Sequence, residues 1–344
     1  MMRALQLAAL FAFTLGLARG EEKQVRIGVL GLFHAKEIVV SPVLGDPLQC
    51  SSGAESWQVS APFHVELRDA KLMKVAPAER PVTGPFVCDN GQGGSAELVI
   101  TLPGKISRRY NGKLEISAEP RELRVVVAME LETAVASIVA AESVPRAPME
   151  ALKAQAVAAR SFLLAGQGRH GSFDFCDTTH CQFLRSPPAS KTPAFQATLA
   201  TRGLVLSYKD EVFAAMYSAS CSGRTHTLEE LGIPVRGYPY FSVTCNYCRR
   251  HPEKWVAKIE SADAANLAPT ERSRLNLVRK LGWKAVPGNS YSSRTENGVV
   301  ILEGIGIGHG IGLCQRGGAA MARAGASFQQ ILEHYYPNAE VKHY

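Results

Sequence analysis

The sequence predicts a mixed α+β fold, in which a domain of short helices and β-strands follows a β-rich N-terminal region. Three observations carry this. Val- and Ile-rich runs broken by Gly and Pro clusters fill residues 22 to about 120, beginning with VRIGVLGLFHAKEIVVSP; that is the pattern of short strands. Composition shifts near Leu131 to two Ala-rich segments, LETAVASIVAAE and MEALKAQAVAARSFLLAG, which read as helices. Strand-like stretches (GLVLSY, EVFAAMYSAS, NGVVILEG) then alternate with loops up to a final helical segment. The expected divisions are 1–20 for a leader, 21–120 for the strand-rich region and 121–344 for the mixed domain. With 344 residues, 46% of them hydrophobic, the chain can bury a substantial core.

The leader reads as a secretory signal. Arg3 gives a positive start, Ala4 to Leu17 is mostly apolar, and Ala18 and Gly20 are small residues where a signal peptidase reads. The apolar stretch is shorter than the ~20 residues of a spanning helix, and no later segment is apolar enough to span. The expected product is an exported protein beginning near Glu21, periplasmic or associated with the cell wall. Export makes disulfides the default for the eight Cys, and Cys50 is expected to pair with Cys88. The formal charge of +7 suits an anionic partner such as nucleic acid, a membrane surface or a cell-wall polymer. No Lys/Arg run is dense enough to favour nucleic acid.

Taken as a helix, 131–142 places Leu131, Val135, Ile138 and Val139 on one stripe. Glu142 falls on that same stripe, at the helix C-terminus, where the dipole disfavours an anion. Both effects raise a carboxyl pKa, and a carboxyl that keeps its proton near neutral pH can act as a general acid. A frayed end with Glu142 in solvent fits the pattern too. Pro145 and Pro148 separate this helix from the next, with Pro148 suited to the first turn and Gly166 to the stop. Lys153 and Arg160, seven apart, share a face. They are either a solvated basic face or a pair of cations beside Glu142 that would hold an anionic group. The final helix is expected to start at an N-cap Ser327 and to end near Tyr335, before Pro337.

The two helical segments together resemble the signature of the stage II sporulation protein D family, which includes the amidase-enhancer proteins. CDTTHCQFLRSP, MYSASCSGRTHTLEE and GHGIGLCQRGGAAMARAGASFQQILEHYYP resemble its later blocks, in the family's order. The resemblance spans about 121–344. It implies a lytic transglycosylase acting on peptidoglycan glycan strands, with Glu142 as the catalytic residue and Lys153 and Arg160 as basic site residues. Such an enzyme needs one carboxyl rather than the usual two. The acid protonates the bond between N-acetylmuramic acid and N-acetylglucosamine, and the muramic acid C6 hydroxyl closes on C1 to give a 1,6-anhydro end. The alternative is a non-catalytic wall-binding enhancer of a separate peptidoglycan amidase.

Other clusters carry their own expectations. His170, Cys176, His180 and Cys181 supply two imidazoles and two sulfurs within twelve residues. That suits tetrahedral zinc, and a Cys176–Cys181 disulfide with two surface His competes. The resemblance tips this toward a structural zinc, although the adjacent His180 and Cys181 would need a tight turn to share one ion. Cys221, Cys245, Cys248 and Cys314 are expected as two disulfides, with a second zinc site as the alternative. The glycine-dense stretch around His309 is read as backbone brought close to a sugar chain, with His309 and Gln315 offering hydrogen bonds. Tyr217, Ser218 and Ser220 are expected to line the same cleft. No G-x-S-x-G elbow supports a Ser218–His309 hydrolase.

Overall fold

The structure is a computed structural model that describes residues 23–43, 45–68, 70–75, 80–82, 84–265 and 267–344. The expected leader, 1–20, lies outside the described residues. The architecture is mixed α+β, as the sequence predicts.

Up to Glu130 the chain is a set of antiparallel strands whose side chains alternate in and out. In Ala96–Leu102 every second residue is buried, and Ile106–Ala118 repeats this through Tyr110, Leu114 and Ile116. The alternation gives the region one inner face. Cys50 and Cys88 sit opposite each other on paired strands and form the expected disulfide, Cα to Cα 4.1 Å. The break expected at residue 120 falls in the turn joining Ile106–Ala118 to Leu123–Glu130. These strands pair from Ala118↔Leu123 to Lys113↔Ala128, and Leu123–Glu130 also pairs with Gln24–Val29. The sheet therefore runs across that division and delivers the chain directly into the first helix.

The helices are α1 (Leu131–Glu142), α2 (Met149–Ala165), α3 (Pro193–Ala200), α4 (Asn246–Arg250), α5 (Ser261–Ala264), α6 (Glu271–Leu281), α7 (Gln315–Arg323) and α8 (Phe328–Tyr335). On α1 the stripe Leu131, Val135, Ile138 and Val139 is fully inside the core. Burying each such side chain contributes about 1.5–3 kcal/mol, which fixes the helix rotation and so the direction in which Glu142 leaves it. Helix α2 is the central post, buried on all sides from Ala154 to Leu163. Its many Ala residues let α1, α3, α7 and α8 pack against it. Pro148 takes the N-cap of α2, just ahead of the expected first turn, and Gly166 takes the C-cap. Ser327 forms a capping box with Gln330 on α8. The chain does not stop there: Glu340–His343 adds a strand beside Leu204–Tyr208, which its short, half-polar sequence did not announce.

Between Lys254 and Ile305 lies a small unit with its own core. Strands Lys254–Glu260 and Ser290–Glu296 flank Val299–Ile305, and α6 packs on them through Leu277 and Val278. This unit forms one wall of the site described next. Among the described residues no helix is long and apolar enough to cross a membrane.

Candidate active site

Glu142 is the last residue of α1, and Pro145 prevents the helix from continuing. Its side chain is half-buried. The Phe183 N–H donates to Oε1 at 2.7 Å, and the Tyr217 hydroxyl donates to Oε2. Gln315 Nε2 donates to the Glu142 carbonyl at 2.9 Å, satisfying one of the orphan carbonyls of the helix end. Burial pushes the Glu142 carboxyl up to about 7, while the bonds from Tyr217 and Phe183 favour the charged form and pull the other way. No ion pair reaches it among the described residues. Burial wins because no cation opposes it.

Two hollows meet at this carboxyl. One, of about 580 Å³, is walled by Phe183, Tyr217, Ser218, Trp255, Trp283 and His309 among others. The second, of about 390 Å³, runs past Tyr247, Arg316 and Arg323. Glu142, Ala219, Ile307 and Gln315 line both. A larger hollow of about 970 Å³ lies at the far end of α1, around Glu132 and Arg202. It does not include the raised carboxyl.

The structure brings Glu142, Tyr217, Ser218, His309 and Gln315 to one cleft. It does not bring the two expected cations. Arg160 is fully buried and forks the Glu132 carboxylate, Nε to Oε1 2.8 Å and Nη2 to Oε2 2.7 Å, with Nη1 on the Leu204 carbonyl. Lys153 is held by Glu150 at 2.6 Å. The reason is antiparallel packing. Arg160 lies about 16 Å along α2, and Glu132 lies about 15 Å back along α1 from Glu142, so the short link between the helices sets those two side by side.

Ser220 is also engaged elsewhere, accepting from the Ile307 N–H and donating to Glu253. His309 receives the Ile311 N–H on Nδ1. Burial pushes its imidazole down to about 4, so it is neutral at pH 7, and no hydrogen bond joins it to Ser218. Within the glycine run, Ile307 and Gly308 line the cleft beside His309, whereas Gly312 is packed on protein. At Gly312 (φ 66°) a Cβ would come within 2.1 Å of the Met216 carbonyl oxygen.

The sequence reading missed Phe183, Trp255, Trp283 and Lys284. Two of the chain's three Trp line the cleft, and Trp283 is 43% exposed. An exposed Trp beside a Lys in the loop after α6 was a usable signal, because aromatic faces that stay wet are suited to binding.

Beside the cleft, His170, Cys176, His180 and Cys181 present donor atoms that all lie within 4.8 Å of one another. His180 Nδ1 is 3.7 Å from Cys176 Sγ and 3.6 Å from Cys181 Sγ, and His170 Nε2 is 3.1 Å from Cys181 Sγ. Tetrahedral zinc, with bonds of about 2.3 Å to sulfur and 2.0 Å to nitrogen, spaces its donors roughly 3.5 Å apart. The set fits. The tight turn that the adjacent ligands demand is present, closed by the Cys181 N–H on the Thr178 carbonyl at 3.0 Å. The two disulfides expected among Cys221, Cys245, Cys248 and Cys314 are not formed; all four are free and buried. These residues come from three separate segments and converge on one centre rather than pairing off.

Residues 119–208, which hold α1, α2 and α3, match the family model described as SpoIID, stage II sporulation protein. The chain is 24% identical over 259 residues to stage II sporulation protein D of Bacillus amyloliquefaciens, covering 61% of this chain and 74% of that one. The Bacillus subtilis protein of the same name is 24% identical over 263 residues, with the same coverage. These matches support a SpoIID-family assignment, carried by the segment 119–208. It is also 28% identical over 270 residues to an uncharacterised protein of Brachyspira hyodysenteriae, 68% of this chain and 73% of that one. The matched SpoIID segment holds Glu142, Phe183 and the His/Cys cluster. Tyr217, His309 and Gln315 reach the site from outside it.

Proposed function

We propose that this protein is an exported peptidoglycan lytic transglycosylase with Glu142 as its acid and base. One observation carries the reading: the junction of the two hollows offers a single free carboxyl, and that carboxyl holds a proton near neutral pH. The other carboxylate in the lining, Glu253, is ion-paired with Arg316 at 2.7 Å. Hydrolysis by acid and base, or by acid and nucleophile, uses two carboxyls. One suffices if the attacking hydroxyl belongs to the substrate.

In that reaction Glu142 gives its proton to the glycosidic oxygen, which leaves as the N-acetylglucosamine C4 hydroxyl. The muramic acid C1–O bond breaks. The C6 hydroxyl of the same sugar bonds to C1, and its proton returns to Glu142, so no water is consumed. Tyr217 and the Phe183 N–H hold the carboxylate between the two transfers. Neutral His309 adds no positive charge beside it. The exposed Trp283 supplies a stacking surface for a sugar ring, and the half-buried Trp255 lines the same cleft. Lys284, on the cleft wall, takes the role first given to Lys153 and Arg160 and meets the lactyl carboxylate. The Cys50–Cys88 disulfide supports an oxidising, exported location.

His170, Cys176, His180 and Cys181 would hold a structural zinc. Four protein ligands would leave no open position, so the ion would serve to hold the loop that aims the Phe183 N–H at Glu142. The test is digestion of peptide-free glycan strands. Wild type is expected to release 1,6-anhydro ends, and Glu142→Gln to lower the rate roughly 10²–10⁴-fold. Binding without cleavage by wild type would leave only a wall-binding role, and reducing ends would show a hydrolase.

A further inference from the structure

We infer that Cys221, Cys245, Cys248 and Cys314 form a second, four-thiolate metal centre that takes zinc. The four sulfurs lie within 4.8 Å of one another, and Cys248 Sγ is 3.5 Å from Cys314 Sγ. A zinc ion with ~2.3 Å bonds to sulfur sets the edges of its tetrahedron at about 3.8 Å. All four residues are 0–1% exposed.

The same chain shows what a cysteine pair looks like when it is a disulfide. Cys50 and Cys88 are bonded across two strands, whereas these four meet as a group with none bonded. Cys221 follows the short strand Tyr217–Ser218. Cys245 and Cys248 are the N-cap and first-turn residues of α4, a C-x₂-C knuckle, and Cys314 is the N-cap of α7.

The surroundings suit thiolates. Cys314 Sγ accepts the N–H groups of Cys221 and Gly317, both at 3.4 Å, and Cys245 Sγ accepts the Tyr335 hydroxyl at 3.3 Å. Donors aimed at sulfur offset the net negative charge of a four-thiolate site. Space has been left for this. A Cβ on Gly317 would lie 2.6 Å from Cys245 Sγ and 2.0 Å from the Tyr335 hydroxyl oxygen. On binding, each thiol loses its proton to solvent and forms one sulfur–zinc bond. The tetrahedron is then full, so the centre is structural. It ties the Ser-rich loop, α4 and α7 together, and α7 begins with Gln315, which holds the Glu142 carbonyl.

Native mass spectrometry and elemental analysis of the full chain, purified without added chelator, test this. The double variant Cys176→Ser/Cys181→Ser, which removes the other cluster, should still carry one zinc per chain. Adding Cys248→Ser should abolish it. Should the variants fail to fold, peptide mapping of the non-reduced wild type decides: Cys221, Cys245, Cys248 and Cys314 should be recovered as thiols from a chain that gives up zinc to a chelator and takes up cobalt(II) with a thiolate charge-transfer band. Disulfides among these four, or thiols with no such band, would overturn the proposal.

Discussion

Helix α1 carries one glutamate in its first turn and another as its last residue, and their surroundings are opposite. Glu132 is clasped by Arg160, a fully buried guanidinium that makes two parallel bonds to it. Glu142 receives an N–H and a phenol hydroxyl and no cation. An ion pair commits a carboxylate to the charged form and to architecture. Desolvation without a countercharge lets the second carboxyl hold a proton near neutral pH, and only such a group can hand one over.

The largest expected effect lies at the Glu132 end. Arg160→Met leaves Glu132 without its cation at the wall of the large hollow and should cost about 3 kcal/mol, the low end for breaking such a pair, read by denaturant unfolding. The pH dependence of cleavage in the surviving folded fraction should not move. A shift in that dependence would couple the two ends and spoil the contrast.

At the other end the sign reverses. Folded protein keeps the Glu142 proton up to about pH 7, while the unfolded chain sheds it near 4.5. The folded state therefore binds more protons across that window, and stability falls as pH rises through it. By pH 8 the loss is roughly 3 kcal/mol. Glu142→Gln removes a group that must ionise, so it should be more stable than wild type at pH 8 by up to that amount and nearly equal to it at pH 4.5. Equal stabilities at both pH values would show that the carboxyl is not desolvated.

Much of this contrast was legible in the sequence. The apolar stripe of α1 fixed which way Glu142 points, and the Ala-rich run of α2 marked a helix packed on all sides. The placement of Arg160 was misjudged because a shared helix face says nothing about which neighbour it meets. The length of the link between the helices does, and it points to Glu132. Tyr217 and Gln315 are 75 and 173 residues from Glu142, beyond any local pattern. Trp283 and Lys284 sit in a unit with its own core, inserted between Cys248 and Cys314, and the four thiols meet only once that unit is folded back. For a chain expected to be exported, disulfides were the sound expectation by compartment. What overrode it was four sulfurs converging on one point.

A smaller effect sharpens the Glu142 end alone. The Tyr217 hydroxyl favours the ionised carboxyl, so Tyr217→Phe should raise the Glu142 pKa. The alkaline limb of the cleavage profile should move up by about 1–2 pH units, given about 1.5–3 kcal/mol for a hydrogen bond to a charged group. A downward move would mean that the phenol stabilises the neutral form instead.

The most direct measurement is a titration of the Glu142 carboxyl itself, by carbon NMR of glutamate-labelled protein with Glu142→Gln to assign the signal. The expected midpoint is about 7, matched by a fall in 1,6-anhydro product over the same range. A midpoint at or below 4.5, the ordinary value for a glutamate, would contradict the assignment of Glu142 as the acid.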